Sequence, residues 1–180
     1  MNCTHTDHDK SGWLCATCGS PLPDAPLCFG ADPPWRDLGV LDADFDTRVK
    51  LNGDVCVVDG EHFFIRALVE LPIKGLSAPF AWSVWCSLSK ASYEAVTARW
   101  DSPDRAADPP RFGWLMTSLP GYEAPTLHLK VMVHHRAPRQ SPRAEIEPGH
   151  QLAAEQVEGI SIDRWHQLVR AAIAWSDPTA

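Results

Sequence analysis

The sharpest chemistry in the sequence is Cys15-Ala-Thr-Cys18, followed at once by Gly19. Two thiolates at this spacing, with a glycine that lets the backbone turn back, can both reach one tetrahedral Zn²⁺ at about 2.3 Å. A closed site needs four ligands and the chain has no second Cys-x-x-Cys. The others must come from Cys28, Cys56, Cys86 or Cys3, or from a histidine such as His5, His8, His62 or His150. Three readings compete for the pair. A thioredoxin-like redox pair needs a helix starting at its second cysteine to lower the thiol pKa, and Gly19-Ser-Pro-Leu-Pro23 cannot form one. Two unrelated free thiols is the plain alternative. The reading adopted is a structural zinc clip, because an irregular segment gains most from a crosslink. Its expected ligands are Cys15 and Cys18, with Cys28, Cys56 and His150 as candidates that spacing does not separate.

A second constellation is the polar face His62, Arg66 and Glu70 of one strand, set against His128, Lys130 and His134 of another. Were these strands neighbours, they would form a mixed charged surface able to bind an anion or a protein partner. A solvated sheet face with incidental ion pairs is the plainer account. The chain has no Gly-x-Ser-x-Gly elbow, no phosphate-binding glycine loop, no His-Glu-x-x-His and no dinucleotide fingerprint.

These residues must be carried by one sizeable core. The chain has 180 residues, 44% hydrophobic and 22% charged, enough for a single globular domain. Sixteen Lys plus Arg against 23 Asp plus Glu leave a net charge of −7, which argues against general nucleic-acid binding. No apolar run reaches the roughly 18 to 20 residues of a membrane helix. The opening Met1 to Lys10 is polar and has no apolar signal segment, so a cytoplasmic location with reduced thiols is expected. Eight tryptophans should supply much of the core.

Residues 1–12 read as a flexible tail. Residues 13–176 read as a single α+β domain whose first part, 13–47, is an irregular Cys-x-x-Cys loop wrapping a core built by later residues. From Arg48 the period becomes two. Arg48–Leu51 and Asp54–Val58 flank the turn dipeptide Asn52-Gly53, and Asp59-Gly60 repeats the signal before a strand from His62 to Leu71. Phe80–Ser87 carries aromatic bulk on both faces, as a central strand would. Ser89 can cap a helix through Tyr93, Val96 and Trp100. Asp101–Arg111 is the best candidate for a mobile loop. Strands are expected at Phe112–Met116 and Thr126–His135, then a Pro- and charge-rich connection over Arg136–Gly149. Two helices follow, Gln151–Glu158 stopping at Gly159, and a second from near Ser161 with Trp165, Leu168, Val169, Ala172 and Ile173 on one stripe. Strands first and helices last predict an α+β fold, a mainly antiparallel sheet with helices packed on one face.

The order Cys15-x-x-Cys18-Gly19, Asp54-x-Cys56, Phe63-Phe-Ile-Arg66, Leu71-Pro-Ile73, Trp85 and Ser87 resembles an uncharacterised bacterial family, domain-of-unknown-function family 2199. So does its continuation in Gly113-Trp-Leu115, Tyr122, Thr126-Leu-x-Leu-Lys130, His150-x-Leu-Ala153, Glu155-Gln156 and Gly159-Ile160. The resemblance spans Trp13 to about Trp175 and supplies a pattern rather than a reaction. Members often show His four residues after the second cysteine, where this chain has Leu22, and Pro where it has Gln151. The resemblance adds weight to Arg66, Glu147 and His150. The resulting expectation is a zinc-clipped, non-catalytic module that engages a protein partner, with Arg66, Glu70, Lys130 and Glu147 as binding candidates. It engages neither nucleic acid nor membrane. The alternative is an enzyme with a pocket around Arg66, Glu147 and His150.

Overall fold

The computed structural model describes residues 26–176, so the tail expected at residues 1–12 and the Cys15–Cys18 turn lie outside the described residues. Among the described residues there are eight strands: β1 Cys28–Gly30, β2 Val49–Leu51, β3 Val55–Val58, β4 His62–Leu71, β5 Phe80–Leu88, β6 Arg111–Leu115, β7 Lys130–His134 and β8 Arg143–Ile146. Four helices accompany them: α1 Phe45–Arg48, α2 Lys90–Ala98, α3 Gln151–Glu158 and α4 Ile162–Ser176. None of these helices is long and apolar enough to cross a membrane.

Local chemistry explains the turns. Asp59 and Gly60 both take left-handed conformations (φ 54° and 69°), as the mirror-image hairpin turn requires, and Glu61 N–H closes the turn on Val58 C=O at 3.0 Å. Asn52 Oδ1 accepts from the N–H groups of Asp54 and Val55, both at 2.8 Å, which shapes the β2–β3 turn. Ser89 caps α2 by accepting from Ser92 N–H at 3.2 Å.

The architecture departs from the expected α+β sheet with helices on one face. Strands β4, β5, β6, β7 and β8 pair in succession and β8 returns to β4, giving a closed five-stranded barrel in a mainly β protein. The apolar faces of Ile65, Ala67, Val69, Trp82, Val84 and Leu115 are buried inside the closed sheet, so they need no helical layer to cover them. The helices add to this core instead, with Leu152 from α3 and Trp165, Leu168 and Val169 from α4. Strand β8 was hidden in the connection read over 136–149. It is four residues long, with Ala144 and Ile146 buried between outward Arg143 and Glu145, too short an alternation to stand out among prolines and charges.

A meander of five strands brings the first and last in the same direction, so the closing pair must be parallel. That seam is short, with one register pair, Leu68↔Arg143. Beyond it the α3 side chain Gln156 satisfies the β8 edge: its Oε1 accepts from Ile146 N–H at 3.0 Å and its Nε2 donates to Ala144 C=O at 2.8 Å. A carboxamide thus takes the place of a strand peptide. Replacing Gln156 with leucine leaves both buried backbone groups unpaired, and a loss of about 2 to 3 kcal/mol is expected, measured as a lower urea midpoint.

The segment before β2 packs on the outside of the β4–β5 hairpin, where Trp35, Val40, Val49, Cys56, Phe64 and Trp85 form a second core. Strand β5 is central, as its two aromatic faces suggest, pairing with β4 along one edge and with β1 and β6 along the other. Two loop expectations change. The strand expected from Thr126 begins only at Lys130, because His128 adopts φ 65° and breaks the extended run. Asp101–Arg111 is held in place: Arg105 and its neighbours form a 3-10 turn, and the Arg105 guanidinium donates to the backbone carbonyls of Trp100, Arg136, Ala137 and Gln140.

Candidate functional site

The outward face of β8 and the start of α3 border three adjoining clefts. One of 210 Å³ is lined by Phe112, Lys130, Met132, Glu145 and Glu147. It meets, at Glu145, Ile146 and Pro148, a second of 430 Å³ lined also by His150, Ala154, Gln156 and Val157. That cleft meets, at Arg143 and Gln156, a third of 440 Å³ lined by Glu70, Pro72, Ile73, Leu76 and Pro79. Each holds a large apolar side chain that water reaches: Phe112 is 47% exposed, Val157 83% and Leu76 41%. Together they make a groove with apolar footholds along its length.

The α3 wall is fixed by a polar clamp. Tyr122 hydroxyl donates to Glu155 Oε2 at 2.9 Å, Arg164 Nε donates to Glu155 Oε1 at 2.7 Å, and Gln151 Nε2 donates to the same oxygen at 2.8 Å. Burial, then the Glu155 carboxylate, pushes the Tyr122 hydroxyl pKa up, so it stays a protonated donor. The Arg164 guanidinium lies over the Tyr122 ring at 5.1 Å. His150 caps α3: Nδ1 accepts from Leu152 N–H at 3.0 Å and Nε2 donates to Ala124 C=O at 3.1 Å, which defines the neutral Nε2–H tautomer. Gly159 must be glycine, since its φ is 75° and a Cβ there would sit 2.9 Å from Pro72 C=O.

Four residues singled out in the sequence gather along this groove. Glu70 lines the third cleft with both carboxylate oxygens held by Arg136, Lys130 and Glu147 line the first and pair at 3.4 Å, and His150 lines the second. Arg66 lies elsewhere. It stacks over Trp85 at 4.9 Å on the outside of the β4–β5 hairpin, with its buried Nε lacking a hydrogen-bond partner, and it lines neither cleft that holds Glu147 and His150. The polar faces of β4 and β7 are not neighbours, because β8 stands between those strands.

The metal candidates are scattered among the described residues. Cys28 pairs with Ala81 and Cys56, across Phe64, aligns with Ser87; these β5 positions are six residues apart, about 20 Å at the strand rise. Cys56 is fully buried and burial pushes its thiol pKa up to about 11. Both ring nitrogens of His150 are engaged, Nδ1 in the α3 cap and Nε2 with the Ala124 carbonyl. No group of three or more His, Cys, Asp or Glu is gathered to hold a metal among the described residues.

Sequence reading did not reach Val157, Leu76, Arg143 or the Tyr122–Glu155–Arg164 clamp. Val157 left a signal, an apolar residue out of phase with the buried α3 positions Leu152, Ala153 and Gln156. Arg143 and Leu76 left none, because their positions depend on how β8 closes the barrel.

A family model described as an uncharacterised protein conserved in bacteria, DUF2199, matches residues 14–160. No curated protein and no solved structure matches the chain.

Proposed function

We propose that this chain, which belongs to that family of uncharacterised conserved bacterial proteins, is a non-catalytic binding module that holds a segment of a protein partner along the groove between β8 and α3. The observation that carries this reading is the row of exposed Phe112, Val157 and Leu76, one in each adjoining cleft. Exposed apolar side chains grouped in concave surface are what a partner's anchors need. The charges around them are already paired, Lys130 with Glu147 and Glu70 with Arg136, so they frame the groove as a polar rim.

Affinity capture from the source cytosol with three variants tests the proposal. Phe112→Glu and Val157→Glu are expected to lose at least about nine-tenths of a specifically bound protein, on the scale of a buried charge within an interface. Leu41→Glu, at a residue 67% exposed outside the groove, should retain it. A bound set unchanged by the groove variants, or lost equally with Leu41→Glu, contradicts the proposal.

The proposal includes a structural zinc held by Cys15 and Cys18. Cys28, exposed on β1 ten residues after Cys18, is the third ligand we favour over sealed Cys56 and fully hydrogen-bonded His150. Elemental analysis of protein purified without added metal should find close to one equivalent of zinc. Less than about a tenth of an equivalent, with the thiols freely titratable, removes the clip.

A further inference from the structure

The short β4–β8 seam leaves a one-residue gap. A continued parallel register would pair Glu70 with β8 next after Leu68↔Arg143, but the Ala144 C=O and Ile146 N–H that such a pair would use are taken by Gln156. In the β4–β5 ladder Glu70 sits opposite Ala81, whose N–H turns away to Leu27 C=O at 2.7 Å. Glu70 and Ala81 are therefore a pair that exchanges no hydrogen bonds, and the Glu70 N–H and C=O face the β8 side. They have no strand partner there. Two residues further on, Pro72 C=O and Lys74 N–H are already engaged by Ile160, at 2.7 and 2.9 Å. The open peptide edge is thus closed at both ends.

This gap opens on the 440 Å³ cleft, whose walls Pro72, Ile73, Leu76 and Pro79 are apolar. At its rim stands Arg143, whose carboxylate neighbour Glu145 is a distant 4.0 Å away. The Glu70 carboxylate is neutralised by Arg136. The groups on offer are an apolar wall, a peptide edge one residue long and a loosely paired guanidinium.

Their complement is an apolar residue carrying a free carboxylate, the last residue of a chain. We propose that the slot receives the C-terminal residue of the partner segment, its carboxylate on Arg143, its N–H on the Glu70 carbonyl and its side chain against Leu76 and Ile73. A through-running strand finds no second pairing position, whereas a chain end needs none. This inference rests on the groove being a partner site.

The probe is N-acetyl-L-leucine, compared with N-acetyl-L-leucinamide, in a titration followed by backbone amide NMR shifts. The free acid should bind in the millimolar range and shift the signals of Glu70, Leu76 and Arg143, with the amide about tenfold weaker. Arg143→Gln should weaken the acid about tenfold and leave the amide unchanged. Equal binding of acid and amide, shifts outside this cleft, or no shift at about 10 mM acid would overturn the inference. If it fails while Phe112→Glu and Val157→Glu still abolish partner capture, the slot is wrong and the groove stands. If all variants leave capture unchanged, the groove itself fails.

Discussion

Replacing Arg105 with methionine is expected to cost about 3 to 5 kcal/mol of stability, seen as a lower urea midpoint at unchanged slope. Arg105 is 1% exposed, and backbone carbonyls take its hydrogen bonds: Nε donates to Arg136 and Nη1 to Trp100, both at 2.6 Å, while Nη2 donates to Gln140 at 2.6 Å and Ala137 at 3.1 Å. Its charge is spread over a cage of oriented dipoles and the face of Trp100, 4.8 Å away. Methionine fills similar space but leaves four carbonyls facing a side chain that cannot donate. Lysine should recover part of the loss, because an ammonium is a point charge that cannot fork to carbonyls on two separate segments. Burial and then the charge of Arg105 hold the pKa of His135 below its usual value, so the methionine variant should also let that pKa rise, measurable by imidazole NMR.

The second large effect is at Gly113. A Cβ there would lie 2.2 Å from the Ser87 carbonyl oxygen and 3.1 Å from Leu88 Cδ2. The oxygen belongs to the β5 backbone, whose register with β6 runs through Ser87↔Trp114, so neither strand can yield without parting the barrel wall. Gly113→Ala should therefore lose about 3 kcal/mol or more. Because Phe112 is its neighbour on β6, partner capture should weaken with it. Gly53→Ala is the control: nothing lies within 4 Å of its Cβ position, and stability should stay within about 0.5 kcal/mol.

These two residues show where the sequence was legible and where it was not. Gly113 stood in the family-like Gly-Trp-Leu run, but its reason, close approach of β5, exists only once the strands cross. Arg105 sat in the stretch read as a mobile loop, because prolines and charges in sequence resemble solvated chain, while its carbonyl partners lie more than thirty residues away at Arg136, Ala137 and Gln140. Strong local signals were readable. Strand β4 and helix α3 have the bounds that alternation and the glycine stop suggest, and Ser89 caps its helix. Closure was not readable. It depends on a four-residue strand and on the Gln156 amide, neither of which has a periodic signature, and so the barrel was mistaken for an open sheet.

The groove was half legible for the same reason. Glu70, Lys130, Glu147 and His150 stood out by charge and pattern, whereas the apolar footholds Val157 and Leu76 acquire meaning only beside β8. His150 was one of several candidate metal ligands, and its ring bonds the first turn of α3 and the Ala124 carbonyl. Arg66 drew attention as part of a charged face, yet its surroundings are Trp85 and the second core.

Site-specific photo-crosslinking in the source cell tests the central claim most directly. A photoreactive residue placed at Val157, 83% exposed on the groove wall, is compared with one at Leu41, 67% exposed outside it. A binding groove predicts a discrete covalent adduct of higher mass from Val157 and none from Leu41. Adducts from both positions alike, or from Leu41 alone, would contradict it.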